Sequence, residues 1–199
     1  MQPSAYQHRV NFPQATPQWQ QGIQAQSQPY GGLGPTVRLI HQQADRLAHS
    51  PEIRGMAESL TRGVYGKDYL SEIAALYYWA CDPRNVRYMR DPHRVELVKD
   101  TYVIVQTKQA DCDEFDVILK NLIGALQSRH IAGMASAAGN ADVEPVLAGF
   151  QAERNMSHTF VRVKDPRGSG RKAVLDPVAG PLTPRMLRQI KHFETAGAV

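Results

Sequence analysis

The sequence predicts an α+β domain behind an extended N-terminal arm. Several segments place apolar residues at three- and four-residue steps, the helical period. Two short segments towards the C-terminal end alternate apolar and polar residues around a turn-rich loop, the pattern of a β-hairpin. The first 35 residues show neither pattern; they hold nine Gln, five Pro and four Gly, and Arg9 is their one Asp, Glu, Lys or Arg. A chain of 199 residues, 42% hydrophobic and 21% charged, suits one domain with a proper core. Its two cysteines exclude a disulfide scaffold and a four-cysteine zinc site.

The elements follow in order. Residues 1–35 read as a Gln/Pro-rich extended or disordered arm, because the prolines break helices and ladders and no apolar face recurs. Tyr6, Phe12, Trp19, Ile23 and Tyr30 are spaced through it like anchors for a partner surface. Residues 36–199 read as a single domain. Val37, Ile40, Ala44, Leu47 and Ala48 give one helix an apolar face. Ser50-Pro51-Glu52 reads as an N-cap with Pro at the first helical position, and Ile53, Met56, Ala57 and Leu60 extend that helix. Asp68 through Ala80 form a third helix with Leu70, Ile73, Ala74, Tyr77 and Tyr78 on its buried side, ended by Asp82-Pro83. Tyr88–Pro92 and Thr101–Gln106 read as extended, the latter because Val103 and Val105 alternate with their neighbours.

Asp111-Cys112-Asp113-Glu114 then opens a strongly periodic helix carrying Phe115, Ile118, Leu119, Leu122, Ala125 and Leu126. Acids suit a helix N-terminus. Thr159–Lys164 and Ala173–Asp176 alternate on either side of the polar loop at 165–171, which makes them the hairpin. Residues 131–137 suit a further strand. The stretch from Ala138 to Met156 reads as loop-like or short-helical. A closing amphipathic helix is expected after Thr183-Pro184, with Met186, Leu187, Ile190 and Phe193 apolar and Arg185, Arg188 and Lys191 basic.

This layout converges on three residues. His158 precedes one hairpin strand and Asp176 ends the other, so a paired hairpin puts both at one end of the sheet. A Cys in the first turn of a helix, a His and an Asp are the parts of a nucleophile, a base and an orienting carboxylate. The helix N-terminus and an adjacent imidazolium stabilise a thiolate. The Cys112 N–H is placed to donate to an oxyanion. A buried Cys, a strand-end His and a turn Asp-Pro are equally ordinary structural residues, and spacing alone does not separate the two readings.

Three blocks resemble the transglutaminase-like cysteine hydrolase superfamily, particularly its short bacterial and bacteriophage members. They are Arg87-Tyr88-Met89-Arg90-Asp91-Pro92 with Glu96; Ala110-Asp111-Cys112-Asp113-Glu114-Phe115; and Ser157-His158-Thr159-Phe160-Val161-Arg162-Val163 followed by Val174-Leu175-Asp176-Pro177. The resemblance covers roughly residues 68–182. It implies a papain-like core, in which a Cys-bearing helix packs on an antiparallel sheet that bears His and Asp. It implies catalytic roles for Cys112 as nucleophile, His158 as general base and acid, and Asp176 as orienting carboxylate. The implied activity is that of a cysteine peptidase or amidase acting on a peptide or amide through an acyl-thioester. The phage members imply a virion or bacterial host cytoplasm as the location, with residues 1–35 meeting virion or assembly proteins. The alternative is a catalytically silent structural or assembly protein. Two residues depart from the family pattern: Ala110 stands where Gly is usual, and Phe160 where Trp is usual. Gln106, six residues before Cys112, resembles the papain arrangement of a second oxyanion donor.

The remaining expectations are negative. No cofactor and no metal are expected, since Cys112, His158 and Asp176 have no second Cys or His at zinc-site spacing. Cys81 reads as a small core hydrophobe. Arg84, Arg87, Arg90, His93 and Arg94 surround Tyr88, but Asp82, Asp91 and Glu96 interleave with them. With a net charge of only +4, nucleic acid is not expected as a partner. No run approaches the roughly 18 apolar residues of a bilayer span, and residues 1–30 lack the apolar core of a secretory signal.

Overall fold

The computed structural model describes residues 25–29, 33–47, 49–64, 69–91, 95–130, 143–149, 158–164, 172–179 and 192–195. Among them lie five helices and eight strands, an α+β arrangement. In chain order these are β1 (Ala25–Pro29), α1 (Leu33–Leu47), α2 (Pro51–Leu60), α3 (Tyr69–Cys81), β2 (Arg87–Tyr88), β3 (Val95–Lys99) and α4 (Thr101–Thr107). They are followed by β4 (Gln109–Ala110), α5 (Cys112–His130), β5 (Val143–Gly149), β6 (His158–Lys164), β7 (Lys172–Leu175) and β8 (His192–Thr195).

The centre of the fold is α5. Its N-terminus is capped by two acids, Asp111 and Glu114. Asp111 is the N-cap, and its Oδ1 accepts the N–H groups of Asp113 (3.1 Å) and Glu114 (3.3 Å). Glu114 Oε2 reaches back to the Asp111 N–H at 3.0 Å, which completes a capping box. Lys99 binds the same carboxylate through its Nζ (2.8 Å) and its own N–H (3.1 Å). Beyond the cap, Phe115, Ile118, Leu119, Leu122, Ala125 and Leu126 are all buried, as the periodicity predicts. The other side of α5 is buried too. There α1 covers it, and polar side chains meet partners: Lys120 binds Asp45 (2.9 Å) and His41 (3.0 Å), while Asn121 takes the Thr101 hydroxyl (2.6 Å) and donates to the Ala44 carbonyl.

The four-stranded antiparallel sheet, in the order β7-β6-β5-β8, supports the opposite flank of α5. Val161 and Val163 of β6, Val143 of β5 and Leu175 of β7 join α5 in the main core. Their neighbours of opposite parity, Phe160 and Val146, form a separate cluster with Val174. This is the two-residue period of a sheet with two covered faces.

Several expectations are corrected. Thr101–Gln106 is helix α4, not an extended segment. Asp100 caps it by accepting the Val103 N–H at 2.9 Å, and Tyr102, Ile104 and Val105 are buried. The β-branched residues favour strand locally, but a cap and a core contact override a weak propensity. Lys108, with φ of 54°, ends α4 in the left-handed region and turns the chain into β4. Within the arm, residues 25–29 are extended, as expected of it, and pair antiparallel with β3, from Ala25 opposite Lys99 to Pro29 opposite Val95. Helix α1 already begins at Leu33; Gly34 and Pro35 fit its first turn because no intrahelical N–H bond is needed there. Tyr78, expected on the buried side of α3, is 56% exposed. Within the stretch from Ala138 to Met156, residues 143–149 form β5, a central strand. Its Pro145 lies one residue beyond the part that β8 covers, where a missing N–H is tolerated. Phe193 belongs to β8 rather than to a closing helix. The Ser50 cap with Pro51 is present as expected, and the hairpin strands pair from Val161 opposite Leu175 to Lys164 opposite Lys172. Residues 1–24, 131–137, 165–171 and 185–191 lie outside the described residues.

Candidate active site

The hairpin register fixes one half of the site. His158 opens β6, and Asp176 follows the last residue of β7. His158 Nε2 and Asp176 Oδ2 are 2.7 Å apart, and both side chains are largely buried. Asp176 is itself held rigidly. Its Oδ1 accepts the N–H groups of Val178 and Ala179, each at 3.1 Å, and its carbonyl accepts the Tyr77 hydroxyl at 3.1 Å. Oδ1 thereby caps the turn that follows β7 while Oδ2 faces His158.

Cys112 forms the other half, at the start of α5. The backbone N–H of Thr159, the residue after His158, lies near enough to the sulfur to favour its thiolate, and the thiol donates to Asp113 Oδ1 at 3.6 Å. The Thr159 hydroxyl donates to the same Asp113 oxygen at 3.0 Å, which ties β6 to the first turn of α5. Strand alternation gives Thr159 the parity of Val161, facing α5. His158 has the parity of Phe160, whose ring centroid lies 6.5 Å from its own.

Electrostatics at the sulfur run against ionisation. Burial, then the carboxylates of Asp113 and Asp111, push the Cys112 thiol well above the ordinary cysteine range; the Thr159 N–H pulls it down. The acids pay a similar penalty. Burial, then Asp113 and Glu114, push Asp111 up to about 8. Asp116 is fully buried, and neither of its oxygens has a hydrogen-bond partner. Burial, then Asp113, raises its carboxyl well above the usual range. The Thr159 hydroxyl eases Asp116 by proximity, but its single proton goes to Asp113.

Other sequence candidates fall into place. Ala110 is fully buried and its carbonyl accepts the Met89 N–H at 2.9 Å, so its Cβ fills core rather than substrate space. Gln106 is exposed in the last turn of α4. Cys81 packs against the main core, and burial raises its thiol. Arg84 is ion-paired with Asp82, its Nε 2.9 Å from Oδ1. Tyr88 was not singled out for the site by sequence. Its strand β2 runs parallel to β4, which leads directly into Cys112. It is 47% exposed, and burial, then Cys112, raise its hydroxyl. The tandem Arg-Tyr-Met before the Asp-Cys block is the sequence signal for this placement. A metal-capable cluster also appears: ligand atoms of Asp111, Cys112 and Asp113 lie within 4.8 Å of one another. It differs from the Cys112, His158 and Asp176 set weighed by sequence. Among the described residues, no helix is long and apolar enough to cross a membrane. Comparison with protein-family models, with curated proteins and with solved structures yields no match to this chain.

Proposed function

We propose that the chain is a transglutaminase-like cysteine hydrolase of papain-like fold, a peptidase or amidase encoded by a phage or prophage and associated with the virion. The observation that carries this reading is the 2.7 Å His158–Asp176 pair, set one residue along β6 from Thr159, whose hydroxyl binds Asp113 beside Cys112. In this reading Cys112 Sγ attacks an amide carbonyl while its proton passes, directly or through a bound water, to the His158 of the His158–Asp176 pair. The Cys112 N–H, first in α5 and without an intrahelical acceptor, supports the developing oxyanion. The C–N bond then breaks, the amine leaves with the proton from His158, and water resolves the thioester. Burial, then the surrounding acids, favours the protonated thiol, so in this reading the proton leaves as the sulfur attacks.

A peptidyl electrophile tests this on the intact protein. It should label Cys112 and not Cys81, and His158→Ala should slow the labelling by about 10²–10⁴-fold. Equal, slow labelling of both thiols would overturn the proposal. The three carboxylates near the sulfur favour a second reading, a catalytically silent phage structural or assembly protein. On that reading deletion of residues 1–24, which leaves β1 on β3, abolishes incorporation into an assembly while amide turnover is absent from wild type.

A further inference from the structure

Strand β2 has one edge in use and one edge open. On the used edge the Arg87 N–H donates to the Lys108 carbonyl and the Met89 N–H to the Ala110 carbonyl, each at 2.9 Å. In a parallel ladder the residue between two such donors turns its own N–H and C=O the other way. That residue is Tyr88. Among the described residues, neither of its backbone groups has a partner. Edge groups of this kind are a template for a further strand. The side chains are exposed as well: Arg87, Tyr88, Met89 and Arg90 in succession, with Tyr88 47% and Met89 45% accessible. The nearest acids in sequence are engaged elsewhere, Asp82 by Arg84 and Asp91 by the Leu97 N–H. Among the described residues, neither Arg87 nor Arg90 has a carboxylate partner.

We propose that the open edge of β2 docks an extended acidic peptide as an added strand, paired through the Tyr88 N–H and C=O and held by Arg87 and Arg90. A peptide backbone both donates and accepts, which matches the two groups that Tyr88 turns outward. Phosphates of a nucleic acid only accept, and the Tyr88 carbonyl offers them nothing. A second copy of this chain suits the edge poorly, because β2 paired with β2 concentrates four guanidinium groups on one short ladder. Carboxylates of the peptide meet the guanidinium groups, and its apolar side chains meet Tyr88 and Met89. Parallel pairing sets Tyr88 level with Ala110, two residues before Cys112. Strand spacing puts the docked peptide about 10 Å from β4, a gap that about three extended residues span. A protein substrate docked here therefore delivers to Cys112 a bond a few residues beyond the docked segment. This use as a substrate exosite rests on the hydrolase reading; the docking does not.

Fluorescence anisotropy of the full chain carrying Cys112→Ala, so that no bond is cut, tests it with the labelled peptide acetyl-Glu-Val-Leu-Val-Glu-amide. That peptide should bind saturably. A copy with Lys in place of both Glu, and a copy N-methylated at its amides, should each bind about 10-fold more weakly or worse. Arg87→Glu combined with Arg90→Glu should weaken the acidic peptide by about 10-fold and tighten the lysine one. Tyr88→Pro deletes the outward N–H and spares the Arg87 and Met89 bonds to β4, as an edge proline can. It should weaken binding by about 3–10-fold beyond Tyr88→Ala, which keeps that N–H. If its unfolding midpoint shows the proline variant misfolded, the N-methylated peptide reads the same bond. No saturable binding, or binding indifferent to both the charge reversal and N-methylation, would overturn the dock. A DNA oligonucleotide that binds this edge more tightly than the peptide, or a dimer that Arg87→Glu disperses, would assign the edge to another occupant and overturn it too. Peptide binding beside slow Cys112 labelling in wild type keeps the dock and removes the hydrolase; fast labelling without peptide binding does the reverse.

Discussion

Asp111→Asn isolates the energetic consequence of crowding acids around the α5 N-terminus. In the folded protein, burial and neighbouring carboxylates push Asp111 up to about 8. In the unfolded chain its pKa is about 3.9. The folded state therefore keeps a proton that the unfolded state releases, and stability falls as pH rises between those values. The contribution is fully present below about pH 4 and is lost as pH climbs to about 8. About three pH units separate the unfolded value from pH 7, each worth about 1.4 kcal/mol per retained proton, so the ceiling at pH 7 is about 4 kcal/mol. Neighbouring acids share the same proton, which spreads this over more than one carboxyl. Asn removes the charge yet can still accept the Asp113 and Glu114 N–H groups that the cap requires. Urea unfolding with a metal chelator present, from pH 4.5 to 8.5, should show wild type losing stability steadily with pH. The variant should be more stable than wild type by about 1–4 kcal/mol at pH 7 and nearly equal at pH 4.5. Parallel curves across that range, or a variant less stable at pH 7, would refute the placement of a retained proton on this cluster.

Three further outcomes follow from named contacts. Asp113→Asn removes the largest charge effect on the Cys112 thiol, so Cys112 alkylation at pH 7 and low metal should speed up by about tenfold per unit that its pKa falls; mass spectrometry of the labelled thiols reads this directly. Lys99→Met strips the cation from fully buried Glu114 and should destabilise the fold by about 3–5 kcal/mol in chemical denaturation. Lys108→Gly relieves the left-handed cap after α4 and should stabilise by up to about 1 kcal/mol, seen as a higher unfolding midpoint with an unchanged denaturant slope.

What the sequence determined was wherever local chemistry and burial agreed. The apolar face of α5, the Ser50-Pro51 start of α2 and the β6–β7 hairpin all arise from short-range patterns that the fold then uses. The hairpin already implied that His158 and Asp176 end together, because antiparallel register and an Asp-Pro turn leave them little freedom. Tertiary structure decided what those patterns could not carry. Val103 and Val105 favour strand locally, yet the Asp100 cap and core contacts make α4 a helix. Pro145 argues against a central strand, but β8 stops short of it, so β5 fills the middle of the sheet. Residues 25–29 have no apolar period, and their pairing is supplied by the β3 backbone. The environment of Cys112 belongs to the same class. Composition shows acids near a cysteine, whereas the folded chain buries Asp116 without a partner and sets Thr159 against the sulfur. Desolvation and long-range pairing exist only once the chain is packed, which is why the identity of the residues around Cys112 was legible and their charge state was not.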